Sequence, residues 1–484
     1  DSLGAFVYKY GQNNKIIVGI NDSTDANATL RVLDSGNYTT ILTTDVNTKF
    51  NACNFLEELY VTGLSDYNAF MAMNNIDSTL VPSTSRNVYG APAAQYVLEF
   101  NGSVIALNCR VNGVTYWDRA YYSSPPLGAI TFVQTDQKSA RMLQLRVDST
   151  RYLKAGMQVD IYGAGTEAKK VSALTIVSVD KKNKRITFNA ANIDVADNDE
   201  IWLTGRKGKL SIYWNTDDPN PEDSDYLRIP PDKDNSPRFT GWAKNNNRLL
   251  LFTRNSFYKY DGSNLVSVSD TVGCVSHESI QNIGSWTIWL HDSGIWGYND
   301  NTGNLKLLSR GIENYIRTIN QTNLPTASAV TINKVYKLSV GELLPLDSIT
   351  TSTSTSSTST SSTSSSTSST STSSTSTSST STSSTTFTTS TSSTSNSTSS
   401  TSASTSSTST STSSTSTSTL LSTKNITRLC YDFDMNAWWT ETHKREMRYQ
   451  FVHTMHGYTK PYFTDDTGRL FRDETGNTDN GESI

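Results

Sequence analysis

Residues 245–269 (NNNRLLLFTRNSFYKYDGSNLVSVS) and 284–309 (GSWTIWLHDSGIWGYNDNTGNLKLLS) write one pattern twice. Each reads as an apolar strand, a polar turn, an aromatic strand, a Gly-containing turn and a third strand, which is a β-meander. A meander cannot cover both of its faces alone. Repetition at roughly 40 residues is what stacked or radially arranged four-stranded blades would give. Ser, Thr, Asn and Gly dominate the polar residues and Tyr and Trp are plentiful, which favours strands joined by turns over long helices.

The rhythm extends in both directions. FVYKY, KIIVGI, TLRVLD and YTTILT place a first blade at 5–45, and further candidates lie at Phe55–Asn74 and Tyr96–Ser123. The last of these carries Asn101-Gly102 and Asn112-Gly113, strong short-range hairpin signals. Between about 133 and 210 the strands become tighter and Lys-rich around a KKNK turn, and they read as a five- or six-stranded barrel inserted in a blade loop. YYSS before it and LSIYWN after it would then be neighbouring strands. A short helix is expected at Ile312–Ile319, with Ile312, Ile316 and Ile319 on one face. Val330–Val340 and Asn425–Trp439 make another strand pair, and 456–478 a last unit.

Residues 350–419 are Ser and Thr except Phe387, Asn396 and Ala403. Without apolar side chains this segment cannot offset its ordering entropy and is expected to be disordered. It falls between two strands that should be hydrogen-bonded neighbours, so it reads as a loop insertion, although a coil of its length would span roughly 45 Å. The fold expected is therefore all-β: a β-propeller of about six or seven blades with an inserted small β-barrel and a disordered Ser/Thr-rich loop. Its parts are propeller at 1–132, 211–349 and 420–484, barrel at 133–210 and loop at 350–419.

Composition narrows the function classes. A formal net charge of −4 on 484 residues gives no broad basic face of the kind duplex binding needs. No apolar run reaches membrane-spanning length and no signal-peptide pattern is visible. The sequence opens at Asp1 and stops at Ile484, and reads as a processed or truncated piece. Cys53, Cys109, Cys274 and Cys430 are far apart and are expected as buried free thiols.

Chemistry-bearing residues are few. His453 and His456 lack zincin spacing, and His277, His291 and His443 are isolated, so no metal is expected. Asp217, Asp218, Glu222, Asp223 and Asp225 share an acidic loop without the sixth-position Gly of a calcium-binding turn, and read as solvated. Asp465, Asp466 and Asp473 sit where hairpin turns want Asp, and Thr464-x-Asp466-x-Gly468-x-x-Phe471 resembles the structural Asp-box hairpin of sialidases. Trp242, Trp286, Trp289, Trp296, Trp438 and Trp439 could stack glycans, but packing between blades is the preferred reading.

Residues 272–280 (VGCVSHESI), 286–298 (WTIWLHDSGIWGY) and 308–316 (LSRGIENYI), with the ending PYFTDDTGRLFRDETGNTDNG, resemble β-propeller virion proteins of tailed bacteriophages. The tail nozzle or tail tubular proteins of short-tailed phages are the type most resembled. Gly273, Ser276, Ser279, Asp292, Gly294, Ser309, Ile312 and Ile316 occupy the positions that carry the resemblance. It implies a non-enzymatic structural protein of the virion tail. The partners implied are other copies in a ring, a portal or adaptor and other tail proteins, with genomic DNA passing through transiently and no membrane contact. No catalytic, cofactor-binding or metal-ligating residue is expected, and no cofactor. The competing expectation is a secreted glycan-binding or glycan-cleaving propeller, an adhesin or glycosidase.

Overall fold

The computed structural model describes residues 2–10, 13–21, 26–34, 37–45, 49–56, 58–63, 71–74, 86–87, 91–134, 144–189, 195–216, 225–230, 237–344, 426–455 and 458–473. Among them the strands form seven antiparallel sheets and one further, inserted sheet, and helix is confined to short turns. The protein is all-β. The Ser/Thr tract and most of the acidic loop lie outside the described residues, and so does the expectation of disorder made for the tract.

Sheet I is Ser2–Tyr10, Asn13–Asn21, Asn27–Asp34 and Asn37–Asp45, and sheet II is Phe50–Phe55, Glu58–Gly63, Met71–Asn74 and Arg86–Asn87. Sheet III is Tyr96–Phe100, Ser103–Val111 and Val114–Tyr122, completed by the distant Tyr226–Arg228. Sheet IV is Gly241–Asn245, Arg248–Phe252, Phe257–Tyr260 and Leu265–Ser269. Sheet V is Gln281–Ile283, Trp286–His291, Gly294–Asn299 and Asn304–Leu307. Sheet VI is Ser328–Ile332, Val335–Ser339, Ile426–Asp432 and Ala437–His443. Sheet VII has three strands, Tyr449–Met455, Tyr458–Thr464 and Leu470–Arg472. Except for Tyr226–Arg228 in sheet III, strands adjacent in each of these sheets are consecutive strands of the described chain.

The repeated meander thus covers sheets IV and V, each with a first strand beyond the three read from sequence. Local turn chemistry sets the hairpins. Asn101-Gly102 and Asn112-Gly113 both hold positive φ at both positions, the geometry whose twist matches the flanking strands.

Consecutive sheets pack face to face through their apolar sides. Leu30, Val32, Phe50 and Leu59 are buried between sheets I and II, and Leu98, Phe100, Leu249 and Leu251 between III and IV. Between IV and V, Trp289 is fully buried with its ring centroid 4.9 Å from that of Phe252 and 5.2 Å from that of Phe257. Burying one indole contributes on the order of 4–6 kcal/mol as an upper bound. Trp289 therefore seals two sheets, in line with the packing reading, as Trp438 does by lying against Tyr431 and donating to Leu308 O at 3.1 Å. Trp439 is exposed.

The series of contacts is cyclic. Phe50–Phe55 touches both Ser2–Tyr10 and Tyr96–Phe100, Gln281–Ile283 touches both Gly241–Asn245 and Ser328–Ile332, and Tyr449–Met455 touches both Ser328–Ile332 and Ser2–Tyr10. Sheet VII closes onto sheet I through Ile16, Val18, Tyr462 and Leu470, and the hydroxyls of Ser2 and Thr464 are 2.8 Å apart.

The inserted sheet contains Thr131–Phe132, Gln144–Arg146, Gln158–Tyr162, Lys169–Asp180, Arg185–Phe188 and Glu200–Leu203. It curls until its edges meet: Val133 bridges Val147, and Asp148 N donates to Phe132 O at 2.9 Å. Arg206 ties it down, donating to Glu58 Oε1 of sheet II at 2.9 Å, to Ser211 Oγ at 2.9 Å and to Leu210 O at 2.9 Å. Ser124 N donates to Tyr213 O at 2.7 Å, so the chain entering and leaving the insert is paired as expected. The outer edge of sheet III, however, is Tyr226–Arg228 and not the LSIYWN segment.

One further boundary moves. The expected helix at Ile312–Ile319 is a 3-10 turn at Ser309–Ile312 followed by one α-turn at Glu313–Arg317, with Ile319 buried beyond it. Val335–Ser339 pairs directly with Ile426–Asp432, so the Ser/Thr tract does separate neighbouring strands.

Candidate functional site

The residues carrying the GCVS and LS motifs build a joint between sheets. Cys274 N donates to Thr253 O of sheet IV at 2.8 Å, and Ser276 Oγ donates to Ala327 O, next to sheet VI, at 2.7 Å. Ser279 Oγ donates to Ser276 O at 2.7 Å and accepts from Leu290 N at 3.1 Å, while its carbonyl accepts from Tyr336 Oη at 2.8 Å. Ser309 Oγ accepts from Ile295 N at 3.0 Å, beside Gly294, and Asp292 takes a two-pronged ion pair from Arg254 of sheet IV at 3.0 and 3.1 Å. Ile312 and Ile316 pack on the apolar cluster between sheets V and VI. Every one of these positions has a mechanical task.

At the point where the first strands begin, residues adjacent to or within all seven sheets converge on two adjoining cavities. One, of about 320 Å³, is lined by Ser2, Asn51, Tyr96, Glu278, Tyr449 and Asp466 among others. The second, of about 530 Å³, is lined by Thr240, Arg238, Arg254 and Gln321 among others, and shares Lys49, Gln95, Tyr96, Ser276, His277 and Pro325 with the first. These volumes lie in the range of ligand sites.

His277 and Glu278 form a 3-10 turn, His277–Ser279, that pushes both side chains into this region. The imidazole sits between Tyr96 and Trp242, with ring centroids 5.0 and 5.3 Å away, and its Nδ1 faces Trp242 N at 3.4 Å. Burial holds its pKa down at about 4, so it is neutral at pH 7. Burial acts oppositely on Glu278. It pushes the carboxyl up to about 7, against the lowering influence of Lys49. The Tyr96 and Tyr449 hydroxyls are also raised, by burial first and by the Glu278 charge second. No hydrogen bond to the Glu278 carboxyl or the Tyr449 hydroxyl is formed by the described residues.

A stability prediction follows from linkage. The Glu278 proton is held more tightly in the folded state (about 7) than at the usual value of 4.5, so its stabilising contribution is full below pH 4.5 and is lost as pH rises through 7. Glu278→Gln is expected to raise stability at pH 8 by about 1–3 kcal/mol, with the gain vanishing near pH 4.5. Urea unfolding of both proteins at the two pH values measures this; a gain independent of pH would remove the ionised carboxylate as its cause.

The other residues singled out in the sequence are scattered. His453 is buried beside Tyr462, and His291 bonds Ser293 Oγ at 2.8 Å. His456 lies outside the described residues, as do Asp217, Asp218, Glu222 and Asp223. Asp225, expected to be solvated, is instead buried and paired with Arg151, because its loop ends where sheet III takes its last strand. The cysteines are free thiols, Cys109, Cys274 and Cys430 buried and Cys53 half-buried.

The Asp-box match is corrected by one residue. Asp465 pins the turn, its Oδ1 accepting from Thr467 N at 3.0 Å, Thr467 Oγ1 at 2.7 Å and Arg469 N at 2.9 Å. Asp466 is exposed and lines the central cavity. Asp473, by contrast, is not a turn residue: it is buried and accepts from Arg428 at 2.6 Å. Among the described residues no group of His, Cys, Asp and Glu is disposed to hold a metal, and no helix is long and apolar enough to cross a membrane.

No protein-family model and no curated protein matches the chain. Among solved structures it is similar, distantly, to the extracellular domain of a B. thetaiotaomicron protein described as a one-component system. That match has 12% identity and a TM-score of 0.29, and covers 70% of this chain and 37% of that one. It is also similar to the endosialidase of phage phi92, at 10% identity and a TM-score of 0.25 over 90% of this chain and 58% of that one. A puromycin-hydrolysing peptidase of Mycobacterium tuberculosis follows at 11% identity and a TM-score of 0.18, over 70% and 57%. The chain spans well under two thirds of each of these structures, and at such TM-scores none of the likenesses carries an argument.

Proposed function

We propose that the seven sheets are the blades of a β-propeller with an inserted small barrel, and that the protein is a structural part of a bacteriophage tail. In this reading it is a nozzle, hub or ring protein that assembles with copies of itself around the DNA channel, in contact with a portal or adaptor, and performs no catalysis. The observation that supports it is the use made of residues 272–316. Several of the positions that resemble the phage tail propellers, Ser276, Ser279, Asp292, Ile312 and Ile316, join sheets IV, V and VI, a mechanical role suited to a part that must withstand load. The cyclic contact of sheets I to VII supports the propeller. A net charge of −4 suits a channel wall that DNA slides past without being held.

The test is assembly. Purified protein mixed with the neck fraction of the corresponding particle is expected to form a closed homo-oligomer by native mass spectrometry, and labelled antibody should mark the tail of intact virions. A chain that stays monomeric beside its neck fraction and is missing from washed virions overturns the reading.

A further inference from the structure

We propose that the central cavity is a binding site for a neutral saccharide, seated between Tyr96 and Tyr449 with its hydroxyls held by Glu278 and Asp466. The inference is independent of the tail assignment, because it rests on the cavity and on side chains that the sheet joints do not use.

Three buried carboxylates elsewhere among the described residues are matched. Glu58 receives Arg206 and Tyr60, Asp160 receives Lys169 and two backbone amides, and Asp473 receives Arg428. Glu278 differs: it is half-buried, lines the cavity and receives no hydrogen bond from the described residues, so its carboxyl is left open to a ligand. Gln, with the same shape, would spare the fold an unmatched charge. A carboxyl placed in a ligand-sized hollow at the convergence of seven sheets is the arrangement expected of a binding group.

The surrounding groups narrow the ligand. Gln95 is occupied by Asn108 and Arg238, Asn51 by Val97 N, Ser276 by Ala327 O, Arg254 by Asp292 and Arg448 by Glu446. The first cavity is left with two carboxyls, Glu278 and Asp466, one ammonium, Lys49, the His277 ring and the Tyr449 hydroxyl. Against a carboxylate ligand Glu278 and Asp466 are repulsive, and against a cation Lys49 is. A neutral polyhydroxyl ring meets neither penalty: paired hydroxyls donate to the two carboxyls, a ring oxygen or hydroxyl accepts from Lys49, and the C–H face lies on a tyrosine ring. The cavity volume of about 320 Å³ suits a ligand of sugar size rather than a polymer segment.

Saturation-transfer NMR on the full chain, with lactose, maltose and diacetylchitobiose as probes, tests the proposal. At least one is expected to bind, and Glu278→Gln and Tyr449→Phe are each expected to weaken that binding about tenfold or more. Thermal unfolding of the variants separates lost binding from lost folding, since Glu278→Gln should be at least as stable as the parent. Sugar contact unchanged in both variants would place it outside the cavity and overturn the site. The absence of any binding by the three probes would overturn the ligand class, as would tight binding of glucuronic acid with none of the neutral sugars.

Discussion

Gly273→Ala is expected to abolish folding or to cost at least about 4 kcal/mol, the largest effect of an added methyl group among the described glycines. A Cβ at Gly273 would stand 2.2 Å from Thr253 O and 2.5 Å from the carbonyl carbon and oxygen of Arg254. These are backbone atoms and cannot swing away. Thr253 O is also fixed by Cys274 N at 2.8 Å, so relieving the clash means separating sheet IV from the turn that starts sheet V. The fully buried Trp289, whose Nε1 donates to Gly273 O at 2.7 Å, would be displaced with it. Gly284→Ala is the control: its φ is +57° but nothing lies within 4 Å of a Cβ there, and only about 1 kcal/mol is expected. Urea unfolding followed by tryptophan fluorescence compares the two, and equal stabilities would refute the close approach of sheets IV and V.

The second large effect concerns Arg428, which is 1% exposed in the third strand of sheet VI. Its guanidinium donates to Asp473 at 2.6 Å and Gln450 at 2.9 Å, and lies 3.3 Å from Glu441. Asp473 follows the last strand of sheet VII and Gln450 is in its first, so this one side chain fastens VI to VII. Arg428→Leu leaves buried Asp473 without that partner and is expected to cost about 3–5 kcal/mol. The same change at Lys334, whose pair with Asp434 is exposed on both sides, should cost less than about 1 kcal/mol. Thermal unfolding measures both. Restoration of stability in Arg428→Leu/Asp473→Leu would identify the Asp473 carboxylate, deprived of Arg428, as the source of the loss. A small effect of Arg428→Leu alone would show that VI and VII hold together without it.

Legibility in the sequence followed the range of the physics. Hairpins with Asn-Gly turns were readable because two residues fix the turn and the alternation around them fixes the faces. The first strands of sheets IV and V, GWAKN and QNI, were not. They are short, and what places them is the neighbouring sheet rather than a pattern of their own. The insert was visible as a change of rhythm, but the return of the chain at Tyr226–Arg228 was not, since three residues carry no periodicity. Trp289 could be assigned to packing from composition alone. The cavity was out of reach: Lys49, Tyr96, Glu278, Tyr449 and Asp466 are spread over most of the chain, and only the cyclic order of the sheets brings them together. A clue did exist in the His277-Glu278 pair, adjacent charge-bearing residues in a stretch otherwise made of Val, Gly, Cys, Ser and Ile. The one-residue shift of the turn carboxylate, from Asp466 to Asp465, shows how a motif that is nearly right can name the wrong side chain.

The excursion within sheet III also gives the chain a timetable. Val114–Tyr122 cannot gain its outer neighbour, Tyr226–Arg228, until more than a hundred residues between them have been drawn in. Closing that loop is cheap only if the intervening sheet has already curled shut and brought its ends together at Ser124 and Tyr213. The inserted sheet is thus placed to fold first and to act as a template on which sheet III is finished. Folding from the ribosome would pause at an incomplete edge strand while the insert emerges, the interval in which a nascent chain is most exposed to mispairing.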